Sequence, residues 1–590
     1  MHRNLRTFLD SLRKEDEIVE ITAEVDPYLE IAEIHRRVID SQGRALLFTN
    51  VKGSAFPVVT NLFGTRKRID LAFGAKPLAF VQRAVHAAEN LLPPKPKTLW
   101  KYRDLALSAL KLGTKTVRHA PVLEQRQTPL DLEKLPFLQL WHEDGGHFVT
   151  LPLVYTESPA SGKHNLGIYR MQRYDSVSTG MHWQIGKGGG FHYFEAERRN
   201  ESLPVTVFLG GAPAMMLAAV APLPEDVPEL MLASLLADSK IATADNPLGT
   251  DRHRLIAEAE FAISGHVAPN ARRIEGPFGD HYGYYSLAHD YPIFTADAVF
   301  HREDAIYPAT VVGKPRQEDF FIGDYLQELL SPLFPLVMPA VQDLWSYGET
   351  GFHSLAAAVV KERYAREALS AGFRILGEGQ LALTKFLLLT DTPQDLRDFK
   401  SLFEHILERV DWERDLFILS QTAFDTLDYA SRKINHGSKA ILMGLGEAKR
   451  ELPRRYSGDL PTGIESVQPF CSGCLVVAGD SYVDDKDLAD RIAKSGKFDD
   501  WQLIVIHDEI AFADSAEKFL WATWTRFDPA SDIYAKKIET RNNHIGYTNP
   551  VVIDARMKPW YPKEVEVRED IAKKVDERWR EYFPNNEKMA

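Results

Sequence analysis

Two textures divide the chain. From about residue 120 to 325, short apolar runs such as FVTLPLVYT, HNLGIYRMQ, PVTVFLG, EAEFAISGHV and YPIFTADAVFH alternate with glycine and proline turns. Apolar runs of that length bounded by turn residues predict strands, and their spacing predicts a β-barrel or sandwich with inserted helices. From about residue 335 helical and strand periods alternate instead. PAVQDLWSY, a long helix over LAAAVVKERYAREALSAGF, a strand KFLLLTD, a helix over DLRDFKSLFEHILERV and a strand DLFIL predict a layered α/β domain. Ahead of both, MHRNLRTFLDSLRKEDEI reads as an amphipathic helix, followed by strands in RALLFTNV and FPVVTNLFG. Residues 77–115 read as helical with a break at LLPPKPKT.

The fold class is therefore α/β, an α+β multidomain chain, with expected segments at 1–118, 119–328, 329–450 and 451–590. The last two carry an internal echo. KFLLLTD at Lys385–Asp391 returns as QLIVIHD at Gln502–Asp508, and at the same offset of 117 Arg409 matches Arg526, Asp411 matches Asp528 and Asp415 matches Asp532. Several matches at one offset predict a duplicated βαβ unit in 451–590, a segment expected to serve packing or assembly and to carry no catalytic group.

Bulk chemistry narrows the function. With 70 basic against 83 acidic residues the net charge is −13, which leaves no general footprint for nucleic acid. The two cysteines, Cys471 and Cys474, exclude a disulfide scaffold and fit a reducing compartment. The run Leu203–Pro224 is free of charge, but its prolines and its Gly210-Gly211 pair break a membrane helix into a strand, a turn and a short buried helix. With no apolar core of a signal peptide at the N-terminus, the expected location is the cytoplasm.

Individual motifs each admit a plain reading. In EGPFGDHYGYY, Gly276, Pro277 and Gly279 fold the chain so that Glu275 and Asp280 approach each other. Neighbouring carboxylates disfavour each other's ionisation, so one could hold a proton as a general acid needs; otherwise this is a hairpin with solvated acids. Asn165 and Arg170 lie in HNLGIYRMQR, an odd number of positions apart, and serve one site only if the strand bends or a bound group wraps its end. HWQIGKGGGFH could cradle a phosphate with backbone amides and Lys187, though it is no Walker sequence. Glu229 sits at a helix start, where glutamates commonly cap. Cys471 and Cys474 precede a strand rather than open a helix, which fits buried thiols. HEDGGH, with His142 and His147, has the wrong spacing for a zinc-protease helix and reads as a loop.

In order, NLGIYR, the W-x-x-x-K-G-G segment, PVTVFLGGAPA, PEDVPE, EGPFGDHYGYY, REDAIYPATVVGKP and TKFLLLTD resemble the UbiD-like decarboxylase family over roughly residues 1–445. The resemblance implies an N-terminal α/β segment, a central split β-barrel like that of flavin reductases and a C-terminal α/β domain. It implies prenylated FMN, bound through its phosphate to a divalent ion, typically Mn2+, with K+ nearby. Asn165 and Glu229 would be metal ligands. Ile168, Tyr169, Arg170, His182, Trp183 and Gln184 would contact the flavin, with Lys187, Gly188 and Lys385 toward its phosphate. Arg170, Glu275 and Asp280 would be catalytic, Asp280 in the proton-donor position. One departure concerns the metal: Gly186 stands where relatives carry a ligating histidine, so His182, His192 or water would have to take its place. The other is the tail after about residue 450, which runs past the end of many relatives.

That resemblance implies a non-oxidative, reversible decarboxylase of an aromatic or α,β-unsaturated acid, with a quinone precursor of the 4-hydroxybenzoate or naphthoate type as first expectation. Expected partners are the acid, a flavin prenyltransferase as cofactor supplier, other copies of the chain as a dimer or hexamer, and the membrane surface if the substrate is prenylated. Two other readings compete: a split-barrel flavin oxidoreductase, which would not need Glu275, and a catalytically silent scaffold.

Overall fold

The computed structural model describes residues 2–90, 100–103, 105, 110–183, 188–223, 227–314 and 316–584. The chain separates into two compact units, Met1–Leu329 with Lys563–Ala590, and Leu330–Pro562. It is a mixed α/β structure. Among the described residues no helix is long and apolar enough to cross a membrane.

In the first unit, the opening helix Leu5–Lys14 begins at Asn4, whose side chain accepts from Thr7 N, and buries Leu5, Phe8, Leu9 and Leu12. A small sheet follows, in which Ile18–Ile21 lies parallel to Ala45–Phe48, and Val58–Thr60 links that strand to Tyr307–Pro308. The centre is a seven-stranded antiparallel sheet. Its path runs Ser178–Gly180, His289–His301, Phe261–Glu275, Leu203–Leu209, Leu153–Glu157, His164–Ile168, with Gln125–Arg126 also on His289–His301. The two long strands change register between Ser264 and Gly265 and between Val267 and Arg272. Such bulges bend a strand and re-aim its end, here the end that carries Glu275. The charge-free run resolves as expected, into the strand Leu203–Leu209 and the helix Pro213–Val220.

The second unit holds two five-stranded sheets of one topology. The first runs Val341–Ser346, Leu355–Val360, Phe386–Thr390, Gly437–Gly444, Leu416–Thr422; the second runs Ile464–Cys471, Cys474–Gly479, Leu503–His507, His544–Asp554, Ile533–Arg541. In both, the outer pairs are antiparallel and the inner pairs parallel. Phe386 and Leu503, Phe399 and Ala516, and Leu416 and Ile533 open equivalent elements 117 positions apart. The details repeat too. Asp411 N donates to Asp415 Oδ2 at 2.9 Å and Asp528 N to Asp532 Oδ2 at 2.8 Å. Asp391 accepts from Gly446 N, and Asp508 from Met557 N. Alternate residues of each sheet, Leu355, Leu388 and Leu442 in one and Val476, Val505 and Ile553 in the other, share a single core with the helices Phe399–Arg409 and Ala516–Trp524.

One element differs from expectation. The long helix expected over LAAAVVKERYAREALSAGF is instead the strand Leu355–Val360 and a short helix, Glu367–Ile375. All six strand residues are buried, between an antiparallel and a parallel neighbour. Alanines favour helix by propensity, but an apolar run buried on both faces is what an inner strand requires, and the tertiary context wins. Cys471 and Cys474 face each other across a hairpin as buried free thiols.

Candidate active site

The strand His164–Ile168 stops two residues short of Arg170, so the odd spacing from Asn165 places no constraint on the arginine. Arg170 Nε donates to Glu275 Oε1 at 3.0 Å, Nη1 donates to Asp280 Oδ2, and Nη2 donates to Ser286 Oγ at 2.9 Å. Its guanidinium stacks 4.5 Å over the Phe278 ring. Glu275 is the last residue of the long strand Phe261–Glu275. Asp280 follows the short strand Phe278–Gly279, which pairs back with Tyr285–Ser286. His182, just past Ser178–Gly180, brings Nδ1 to 2.9 Å from Glu275 Oε1. An ionised Glu275 can only accept, so Nδ1 carries the proton there.

Electrostatics follow from that packing. The side chains of Arg170, Glu275 and Asp280 are 9%, 0% and 11% exposed. Burial opposes ionisation of Glu275, yet His182 and Arg170 outweigh it and hold the carboxyl below its ordinary range. Burial likewise opposes charge on Asp280, and Arg170 and His281 hold it lower still. The expected repulsion that would leave one acid protonated is thus overridden, because a shared cation lies between the two carboxylates. His182 is shifted down by burial and by Arg170. Behind the turn, Asp144 Oδ1 accepts from Gly279 N at 2.7 Å, while Oδ2 accepts from Leu140 N and Trp141 N. Burial pushes Asp144 up to about 7 against those three donors.

A second cluster adjoins the first. Glu229 opens the helix Glu229–Leu236 and its Oε2 accepts from Leu166 N at 3.0 Å, next to Asn165. Burial raises the Glu229 pKa. Gly188 opens the helix Gly188–Arg199, and a Cβ there would stand 2.2 Å from Asn165 Oδ1. At Gly189 a Cβ would stand 2.6 Å from Trp183 Nε1. Tyr169 OH lies 3.4 Å from both Asn165 Nδ2 and Gly189 N. Only glycine lets this helix start press against Asn165 and Trp183. Among the described residues, His182 Nε2, Trp183 Nε1 and Glu275 Oε2 are buried without a hydrogen-bond partner. Orphaned polar atoms are uncommon in interiors, and a bound polar group or water here would satisfy these three. The side-chain oxygens of Asn165 and Glu229 are of the donor type that a hard divalent ion takes. Among the described residues no three His, Cys, Asp or Glu side chains form a metal cluster.

Three domain models match this chain. The 3-octaprenyl-4-hydroxybenzoate carboxy-lyase N-terminal domain matches residues 9–88, the Rift-related domain 115–315 and the C-terminal domain 320–444. The chain belongs to the UbiD carboxy-lyase family. A protein of Chlamydia trachomatis serovar D is 51% identical over 98% of this UbiD chain and 100% of its own length. A Chlamydia pneumoniae protein, named as one component of a 4-hydroxybenzoate decarboxylase, is 50% identical over 99% of each. An Archaeoglobus fulgidus relative is 34% identical over 79% of this chain and 95% of its own. The vanillic acid decarboxylase of Sedimentibacter hydroxybenzoicus shares the fold with a TM-score of 0.67 at 22% identity, covering 78% of this chain and 97% of that one. The UbiD-class enzyme HmfF of Pelotomaculum thermopropionicum, solved with FMN, gives 0.62 at 24%, covering 78% and 98%.

Within this UbiD-family site, Asn165, Glu229, Tyr169, Gly188 and Trp183 meet in one cluster, and Arg170, Glu275, Asp280 and His182 in the other. Ile168 ends the strand between them, paired with Leu153. Gln184 and Lys187 lie outside the described residues. Lys385 belongs to the second unit, where its Nζ pairs with Asp428 at 2.7 Å and is almost wholly buried. His182 is committed to Glu275; His192 Nδ1 instead lies 2.9 Å from Thr156 Oγ1, and Thr156 is the cross-strand partner of Asn165. Sequence reasoning missed Asp144, Ser286 and Phe278. Ser286 and Phe278 stand within or beside the EGPFGDHYGYY motif and could have been included; Asp144 offered only a loop acid in HEDGGH.

Proposed function

We propose that this chain carries out non-oxidative, reversible decarboxylation of an aromatic or α,β-unsaturated carboxylic acid, with prenylated FMN and a divalent metal. The observation that carries the reading is one buried guanidinium shared between Glu275 and Asp280, beside a cradle with unpartnered polar atoms. Trp183, His182, Tyr169 and Ile168 would hold the flavin, with Gly188 and Lys187 toward its phosphate. Asn165 and Glu229 would hold the metal, and with His182 engaged by Glu275, His192 would be the histidine to complete the set. When bound, the cofactor supplies the electron sink that no side chain provides for loss of CO2.

The residues of the chain do the rest. The substrate carboxylate competes with Asp280 for Arg170, since a planar guanidinium prefers a bidentate carboxylate. Asp280, buried and deprived of its counter-charge, then binds a proton, because desolvation favours the neutral acid. As CO2 departs, Asp280 delivers that proton to the carbon it leaves and returns as the anion to Arg170. Glu275 stays ionised between Arg170 Nε and His182 and fixes the angle of the guanidinium. A quinone precursor of the 4-hydroxybenzoate or naphthoate type is the first substrate to test, in keeping with the name of the Chlamydia pneumoniae relative. The test is co-expression with a flavin prenyltransferase, mass spectrometry of the released cofactor, and CO2 release from a panel of aromatic acids. Unmodified FMN with full activity, or no CO2 from any acid in a prenyl-flavin-loaded sample, overturns the reading.

A further inference from the structure

The turn that carries Asp280 is gripped by the end of the chain. Asp280 N donates to Tyr284 O at 3.0 Å, and Gly283 N donates to Asp280 O at 2.8 Å. The residues that close this turn are the ones the C-terminal segment clamps. Tyr285 N donates to Lys563 O and Val565 N to Gly283 O, each at 3.0 Å, so that Glu564 stands as a bridge partner of Tyr284. Two backbone bonds thus connect Val565 to Asp280 through Gly283.

The clamp is itself anchored. Val565 is buried in the core of the first unit. Glu564 pairs with Lys314 at 2.6 Å, and Lys563 with Glu143 at 2.8 Å. Beyond it, the helix Glu569–Tyr582 brings Lys574, Arg578 and Tyr582 onto Glu30, which is 1% exposed. The pair on exposed Lys563 contributes little; the backbone bonds, the buried valine and the fully buried Glu30 anchor set the position. On its other side the turn is held at Gly279 by Asp144, the neighbour of Glu143. The turn carrying Asp280 is therefore held on both flanks by contacts that do not involve Arg170.

We propose that Lys563–Val565 is a positioning strap for Asp280: it holds the proton donor at the distance from Arg170 that proton delivery requires. The proposal rests on the decarboxylase reading for the identity of the step. It extends the role of the tail beyond packing, because a donor displaced by about 1 Å can cost on the order of 10²-fold in rate. Lys563, Glu564 and Val565 touch no reacting atom and act through Gly283, Tyr284 and Tyr285.

The test uses the full-length, cofactor-loaded enzyme. Val565→Pro deletes the N–H that reaches Gly283 O; Val567→Pro, at an exposed position two residues on, is the control. A Lys574→Ala, Arg578→Ala, Tyr582→Phe variant removes all three side chains of the closing helix from Glu30 without altering the strap, in case the proline variant fails to fold. Amide hydrogen exchange is read over Phe278–Ser286 and over Gly188–Arg199, with kcat, KM and the pH profile of kcat. Faster exchange confined to Phe278–Ser286, a kcat lower by about 10-fold, KM within twofold and a shifted pH profile support the strap. Unchanged exchange, or faster exchange with unchanged kcat and pH profile, overturns it. Exchange needs no substrate, so it still decides whether the strap holds the turn if the wild type releases no CO2, the result that would overturn the decarboxylase reading instead.

Discussion

Glu275 and Asp280, five positions apart on one turn, are held by different nitrogens of the same guanidinium: Glu275 by Arg170 Nε at 3.0 Å and Asp280 by Arg170 Nη1. The two acids are thereby made unequal. Glu275 also meets His182 and is wholly buried, whereas Asp280 also meets His281, whose side chain is partly exposed. The first is locked in an ion pair; the second can exchange its partner and its proton.

Asp280→Asn keeps the shape of the turn and removes the proton. It should retain flavin and substrate yet turn over at least ~10²-fold more slowly, the low end for losing a general acid. Steady-state rates on cofactor-loaded protein check this; near wild-type speed would transfer the donor role to Glu275. Glu275→Gln should also lower kcat, by freeing the guanidinium to rotate.

Arg170→Met leaves two buried carboxylates without their cation and should cost about 3–5 kcal/mol of stability at neutral pH. The sign with pH follows from the lowered carboxyl pKa values. In the wild type the stabilisation is fully present above the ordinary values of 4.5 and 3.8, and is lost as pH falls below them through the depressed folded-state values. In Arg170→Met that acid-dependent loss should vanish, and lowering the pH should narrow the gap between variant and wild type. Urea denaturation between pH 7 and pH 3 measures both; a gap that widens in acid would contradict it.

Gly188→Ala would put a Cβ 2.2 Å from Asn165 Oδ1. Retention of flavin and metal should fall sharply while far-UV circular dichroism is preserved. His192→Gln should weaken divalent-metal affinity by about 10–100-fold whether the imidazole ligates the ion or supports the Asn165 strand through Thr156, and His182→Gln should not. Metal titration of cofactor-loaded protein separates the two histidines.

In the second unit, Asp528 Oδ1 accepts from Ser438 N at 3.0 Å, tying the two repeats together. Asp528→Ala should destabilise by about 1.5–3 kcal/mol, the range for hydrogen bonds to a charged group. Turnover of the folded variant at low temperature should be unchanged. A large loss of kcat in correctly folded protein would give the repeat a part in catalysis.

Much of this architecture was legible in the amino-acid order because it is written locally. Strand runs between turn residues, the ordered motifs from NLGIYR to TKFLLLTD, and the 117-residue echo at Arg409, Asp411 and Asp415 need only neighbours to be recognised. The helix expected across Leu355–Val360 failed for the opposite reason. Its residues have helix propensity, and only the strands on either side, Val341–Ser346 and Phe386–Thr390, make it an inner strand.

The site divides in the same way. Arg170, Glu275, Asp280, Asn165 and Glu229 could be picked out as candidates from motif order, since side-chain chemistry does not depend on the fold. Their protonation could not. Motif spacing left open whether the two acids share a proton or stand solvated on a hairpin, and the packed structure puts a cation between them, 105 and 110 positions away in sequence. Asp144 behind Gly279, His192 beside Thr156, and the strap from Lys563 to Val565 carry no motif, because each acts through contacts made by residues far apart along the chain. A pKa, an orphaned polar atom and a clamped turn are properties of what surrounds a residue, and those surroundings exist only once the chain has folded.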